Sequence, residues 1–276
     1  MSRVCIYGCG AIGSLLAAKI AATGADVSVI ARGEHLAAIR RRGLTLHLAD
    51  GSDPLTVQLT ASDRPGDLGE QDVVILTMKS HAVPAIADKV QPLLGEGTMV
   101  VTAFNGLPWW YFYGLPKNFG QPELISVDPG RKLWQAIGPE RAIGCVVYPA
   151  AAIIEPGIVR HVFGDRFTLG EPASGSSERL QTLAALLQAA GFEASVSADI
   201  RADIWTKLVA NAAFNPVSVM TGKTLGEMID DAATCKLLEQ IMAEVTAIAS
   251  AQDVAVLMNP QQLLQATRQL GGHKTS

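Results

Sequence analysis

Two features of this sequence could do chemistry: a polar stripe on one apolar helix, and a run of glycines behind a short apolar strand. In Trp205-Thr206-Lys207-Leu208-Val209-Ala210-Asn211-Ala212-Ala213-Phe214-Asn215, residues four apart on a helix drift about 40°, so Lys207, Asn211 and Asn215 fall within roughly 80° of arc. Their neighbours are almost wholly apolar. A lysine and two asparagines in such a helix need partners or are costly to bury. An ammonium can hydrogen-bond and protonate an oxygen that gains charge, or it can pair with a carboxylate; the asparagines can orient hydroxyl and carboxylate groups. Pro216 is expected to end or kink the helix straight after the stripe. The alternative for the same residues is the exposed face of an amphipathic helix.

Gly8-Cys9-Gly10-Ala11-Ile12-Gly13 follows an apolar strand and opens a helix. In that setting Gly8 makes a tight turn, Gly10 lets backbone approach a diphosphate and Gly13 permits close helix–strand packing, while the helix N-terminus offers unpaired N–H groups. This points to a dinucleotide. Arg32 stands after the second strand, where an NAD site usually carries an acid; a guanidinium suits a 2′-phosphate, which favours NADPH over NADH. Lys79 and Asn105 follow two further apolar runs, and the carboxyl ends of parallel strands face the ligand crevice. Each has a plainer alternative: a solvated loop arginine, a surface lysine at a helix start and an Asn105-Gly106 turn.

The elements that must position these residues alternate. Residues 4–7, 27–31, 73–77 and 99–102 have the length and composition of buried strands, and 11–23, 34–43 and 81–94 read as helices. That order means βαβ units and a parallel sheet. Residues 45–48 and 56–60 alternate and are expected to form a small antiparallel excursion. Five aromatics crowd residues 109–113, within an irregular stretch from 105 to 140 long enough to be functional. Strands are expected at 143–149, 157–162, 167–170 and 193–196, with a helix at 177–190. From Asp199 onward only helices are expected, at 204–215, 225–228 and 232–252. The fold class is therefore α/β: a Rossmann-type doubly wound domain over residues 1–198, followed by a smaller all-helical domain over 199–276.

Composition narrows the class of function. The chain has 276 residues, 49% hydrophobic and 17% charged, which excludes a disordered chain. Its net charge of -4 argues against a broad nucleic-acid surface. No window reaches the roughly 18 apolar residues of a membrane span, and the N-terminus runs straight into the glycine motif, unlike a signal peptide. Cys5, Cys9, Cys145 and Cys235 form no CxxC pair and have no histidine at zinc-finger spacing, so no metal is expected and a reduced, cytoplasmic protein is.

These residues together resemble the ketopantoate reductase (2-dehydropantoate 2-reductase) family over nearly the whole chain. The resemblance runs through the glycine motif, Arg32, Lys79, Asn105-Gly106, residues 155–161, the Trp205-x-Lys207 helix with Asn211 and Asn215, and the closing His273-Lys274-Thr275-Ser276. It implies NADPH-dependent reduction of ketopantoate to D-pantoate in pantothenate synthesis, at a cleft between a Rossmann domain and a helical one. It further implies Lys207 as the catalytic lysine and Asn105, Asn211, Asn215 and Ser276 as substrate-holding residues. The cofactor, NADP(H), would lie on Gly8, Cys9, Gly10, Ala11, Ile12, Gly13, Arg32, Lys79 and Asn105.

Two departures accompany the resemblance. Family chains usually continue past the Thr-Ser motif into a helix carrying a further glutamate, so the helical domain is expected to be incomplete at its C-terminus. The aromatic segment after Asn105-Gly106 is longer than compact members need. The partner expected is a small 2-oxo acid, with no nucleic acid and no membrane, and homodimerisation through the helical domain stays open. A same-fold reductase of a different 2-oxo acid and a non-catalytic NADP-binding paralogue remain as alternatives.

Overall fold

The computed structural model of the chain describes residues 2–115 and 120–269. It divides into two compact units, Met1–Ile200 and Arg201–Ser276.

The first unit is built on an eight-stranded sheet. Its strands are β1 (Arg3–Tyr7), β2 (Asp26–Ile30), β5 (Thr60–Ser62), β6 (Gln71–Leu76), β7 (Leu94–Ala103), β8 (Ala142–Val147), β11 (Arg166–Gly170) and β12 (Glu193–Val196). They lie in the order β12-β11-β8-β7-β6-β1-β2-β5. Every neighbouring pair is parallel except β8–β11. From β1 the chain first builds outward to β2 and β5, then returns to lay β6 on the other side of β1. The crevice beyond the carboxyl ends of β1 and β6 is thus the switch point at which such sheets take ligands.

A second sheet, β4-β3-β10-β9, comprises β3 (Leu44–His47), β4 (Leu55–Val57), β9 (Ala150–Glu155) and β10 (Ile158–Phe163). Helix α1 (Ala11–Ala21) packs against strands of both sheets. Its residues Gly13, Ser14, Leu15, Leu16, Ala17, Ala18 and Ile20 are buried, as a helix covered on more than one face requires. Helix α2 (Gly33–Arg42) follows β2, and α4 (Glu178–Ala189) packs on β11 and β12.

Residues 81–94 form no α-helix but two 3₁₀ segments, Ser80–Ile86 and Gln91–Leu93; Pro84 and Pro92 remove the donors a continuous helix needs. The run 56–60 splits: β4 pairs antiparallel with β3, whereas Thr60 begins β5, which extends the main sheet beside β2. The supposed excursion is also more than a hairpin, because β3 pairs parallel with β10. Strand β9 was not expected at all, its Ala-Ala-Ala-Ile-Ile-Glu sequence being poor in strand formers; antiparallel pairing to β10 secures it.

The aromatic stretch is not a structureless loop. Trp109, Trp110 and Tyr111 are buried, and the Trp110 indole N–H donates to the Thr102 hydroxyl at 3.1 Å. The buried Asp128 carboxylate accepts from the Leu133 and Trp134 amides at 2.8 and 3.0 Å, opening α3 (Lys132–Ile137). Trp134 then meets Trp109 and Tyr113 edge-on. These aromatics build local core.

The second unit is helical: α5 (Ile200–Thr221, beginning one residue before the unit does), α6 (Leu225–Asp230), α7 (Ala232–Ser250) and α8 (Pro260–Arg268). Its core joins Val209, Ala213, Phe214 and Val217 of α5 to Met228, Leu238, Met242 and Leu264. Helix α5 does not stop at Pro216 but continues to Thr221. Proline there forfeits one backbone bond to the Ala212 carbonyl, and the next residue, Val217, is fully buried in the core of that unit.

Candidate functional site

The glycine turn is shaped by contacts that leave no room for side chains at two of its three glycines. Gly8 has φ +104° and a Cβ there would strike Met78. A Cβ on Gly13 would lie 2.5 Å from the Gly8 carbonyl oxygen and 2.6 Å from the Thr77 hydroxyl. Gly10 differs: its nearest neighbour would be the Gly8 carbonyl oxygen at 3.9 Å, so open space lies where a ligand would approach. The turn is fastened by the Gly8 and Cys9 amides, which donate to the Ile30 carbonyl at 3.1 and 2.9 Å. The Thr77 hydroxyl donates to the Gly8 carbonyl at 2.7 Å.

Beyond the turn, the first-turn amides of α1 have no intrahelical acceptor. The N-cap Gly10 supplies no side-chain acceptor and the first turn holds no acid, so these donors keep their positive end for an anion. A diphosphate fits both the open space and the charge. The Cys9 side chain is buried, and burial pushes its thiol up to about 11; Cys9 can therefore serve a ligand through its backbone rather than as a nucleophile.

Arg32, Lys79 and Asn105 flank this turn. Arg32 is the extended N-cap residue of α2, two residues beyond β2. Lys79 is the extended residue before the 3₁₀ segment that follows β6, and Asn105 lies two residues beyond β7, before Gly106 at φ +105°. All three are exposed. Because β7, β6, β1 and β2 are consecutive neighbours, the four loci form a line across three strand spacings, about 14 Å at ~4.8 Å each. An extended molecule with anionic groups along its length matches such a line.

In the helical unit, Lys207, Asn211 and Asn215 are half-buried on α5. Val209, Ala213 and Val217, each two positions further on and so about 200° away around the helix, are fully buried in that unit's core. The polar stripe therefore faces away from its own core. Thr206 fixes the helix's rotation: its hydroxyl donates to the Ala202 carbonyl at 2.7 Å and accepts from the Leu257 amide at 2.9 Å.

Gly8, Cys9, Gly10, Ala11, Ile12, Gly13, Arg32, Lys79 and Asn105 thus share one edge of the first unit, and Lys207, Asn211 and Asn215 share one face of α5. Ser276 lies outside the described residues. Thr77 escaped the sequence reading, although a hydroxyl at the end of an apolar strand was a visible signal. Among the described residues no group of three His, Cys, Asp or Glu side chains could hold a metal, and no helix is long and apolar enough to cross a membrane.

Comparison with known proteins adds two family matches. The profile described as "Ketopantoate reductase PanE/ApbA" matches residues 4–174, and "Ketopantoate reductase PanE/ApbA C terminal" matches 199–276. A 2-dehydropantoate 2-reductase of Mesorhizobium japonicum is 44% identical over 275 residues, 99% of this chain and 84% of its own. A solved structure from Ralstonia solanacearum superposes with a TM-score of 0.93 at 41% identity, covering 98% of this chain and 84% of that one. The 2-dehydropantoate 2-reductase of Geobacter metallireducens does so with 0.84 at 28% identity, over 99% and 85%.

Proposed function

The chain belongs to the ketopantoate reductase family of oxidoreductases, and from that premise we propose that it reduces 2-dehydropantoate (ketopantoate) to D-pantoate with NADPH, a cytoplasmic step of pantothenate synthesis. The observation that carries this reading is the line of Arg32, the glycine turn, Lys79 and Asn105 along adjacent strand ends. NADPH, when bound, supplies the hydride that ends on the 2-oxo carbon.

The chain's own residues do the rest. The first-turn amides of α1 hold the diphosphate, with Gly10 admitting it to the backbone. Arg32 takes the 2′-phosphate by charge and paired hydrogen bonds. Lys79 borders cofactor and substrate, and Asn105, Asn211, Asn215 and Ser276 orient the substrate's hydroxyl and carboxylate. Charge developing on the substrate's carbonyl oxygen would need a donor from this chain. The Lys207 ammonium hydrogen-bonds that oxygen and transfers its proton there, and the resulting amine regains a proton from water. The proposed division of labour is a cofactor domain over residues 1–198 and a substrate domain over 199–276.

Steady-state NADPH oxidation with ketopantoate, alongside a panel of other 2-oxo acids, tests the reading. Ketopantoate is expected to give the highest kcat/KM; a higher value for another 2-oxo acid assigns the chain a different substrate. Binding of NADPH without turnover of any 2-oxo acid overturns the catalytic reading.

A further inference from the structure

His35, in the first turn of α2, touches two other segments of the first unit. Its Nδ1 accepts from the Gly157 amide at 3.0 Å, in the turn between β9 and β10. Its Nε2 lies 3.2 Å from the Ser14 hydroxyl, in the first turns of α1. Because Nδ1 accepts from a backbone N–H, the neutral ring carries its proton on Nε2 and donates it to Ser14. The Ser14 hydroxyl in turn donates to the Cys9 carbonyl at 3.4 Å and lies 3.3 Å from the Cys9 thiol. Ser14 is fully buried, and burial holds the half-buried His35 below the usual imidazole range. The relay therefore runs from the β9–β10 turn, through a neutral imidazole and a hydroxyl, into the middle of the glycine turn.

Two members of this relay stand beside the two places where an anion would be read. Cys9 lies inside the turn that admits the diphosphate, and His35 lies three residues beyond Arg32, the N-cap of the same helix. Gly157 also seats tightly on α2: at φ +78°, a Cβ there would come within 3.0 Å of the Ala38 methyl. Arg42, at the other end of α2, donates to the Pro156 carbonyl. The β9–β10 turn thus grips α2 at both ends, and His35 is the link from that grip to α1.

We propose that His35 is a positioning residue: acting through Ser14, it sets the separation between the diphosphate-binding turn and Arg32, and so presets the site for a dinucleotide carrying a 2′-phosphate. A ligand read at two anionic points gains from a fixed spacing between them, because the ordering cost is met before binding. NADH, which lacks the second phosphate, has little to gain from that spacing. The proposal rests on the functional reading above.

The test separates the two ring nitrogens. His35→Asn keeps an acceptor where Nδ1 stands but cannot reach Ser14; His35→Gln places an amide N–H near Nε2. Dissociation constants for NADPH and NADH are measured on the purified protein without substrate, with a thermal melt of each variant. His35→Asn and Ser14→Ala are each expected to weaken NADPH about three- to tenfold, the reach of one buried hydrogen bond, with NADH changed less than about twofold. His35→Gln should restore most of the loss. The double variant His35→Asn/Ser14→Ala should bind no more weakly than either single one, since both cut the same relay.

Unchanged NADPH affinity in His35→Asn, equal losses for NADPH and NADH, or additive losses in the double variant would overturn the proposal. Should His35→Asn not fold, Ser14→Ala with a wild-type melt decides alone: selective loss of NADPH supports the relay and unchanged binding rejects it. Failure of the wild-type protein to bind NADPH would instead count against the functional reading.

Discussion

The Thr77 hydroxyl donates a 2.7 Å hydrogen bond to the Gly8 carbonyl, tying the end of β6 to the turn after β1 across the point where the sheet reverses its order. A Cβ on Gly13 would collide with both partners of that bond. The three glycines of the motif therefore have different duties. Gly8 and Gly13 serve the fold, whereas Gly10 leaves space that the fold does not use.

Gly13→Ala should destabilise the protein by about 1–3 kcal/mol, as overpacking against fixed backbone does. Gly10→Ala should cost at most about 1 kcal/mol, the preference for glycine over alanine at an N-cap, yet weaken NADPH binding at least as much as Gly13→Ala does. Urea denaturation and cofactor titration of both variants check this. Equal stability losses would mean that the open space at Gly10 is structural.

Arg32→Ala should weaken NADPH roughly 10–100-fold while sparing NADH, since a charge-assisted hydrogen bond contributes about 1.5–3 kcal/mol. Titration of both cofactors reads the difference. Equal losses would place Arg32 in structure rather than recognition.

Much of this site was legible because its signals are local. A strand–glycine–helix string fixes its own backbone, and residues four apart on α5 must share a face whatever surrounds them. The departures are places where tertiary contacts overrode local pattern. Val83, Ile86 and Val90 are buried at intervals that suit a helix, but Pro84 and Pro92 turn the segment into 3₁₀ pieces. Pro216 reads as a stop, yet Val217 has a core to fill and the helix goes on. Helix α8 was overlooked although Asn259, Pro260 and Gln262 form a capping box with proline in the first turn. The relay through His35 joins residues 9, 14, 35 and 157, and no sequence spacing announces it.

Asp231 caps α7, accepting from the Thr234 amide at 2.8 Å and hydroxyl at 2.7 Å and lying 3.0 Å from the Lys223 ammonium. Hydrogen bonds from Thr234, then the Lys223 charge, hold its carboxyl well below the usual carboxylate range. With the folded value depressed, the stabilisation is fully present above the ordinary carboxylate pKa of about 4 and is lost as pH falls through the lower folded value. Helicity followed by circular dichroism below about pH 4 should therefore fall in the wild-type protein more steeply than in Asp231→Asn. Parallel acid transitions in the two would contradict the capping role.

Lys207→Ala should lower kcat by about 10²-fold or more with little change in melting temperature, if the ammonium protonates the developing alkoxide. A raised KM with kcat intact would make Lys207 a carboxylate-binding residue instead. Lost thermal stability with near-normal turnover would assign it to structure.

Hydride transfer from NADPH to the 2-oxo carbon of ketopantoate can be followed directly by isotope. The most direct measurement uses NADPH deuterated at both hydrogens of the nicotinamide C4, with the mass and chirality of the product determined after turnover. Direct hydride transfer should yield D-pantoate carrying one deuterium on C2, with one NADPH consumed per product. Product without deuterium, or NADPH consumption that leaves ketopantoate unreduced, would contradict it.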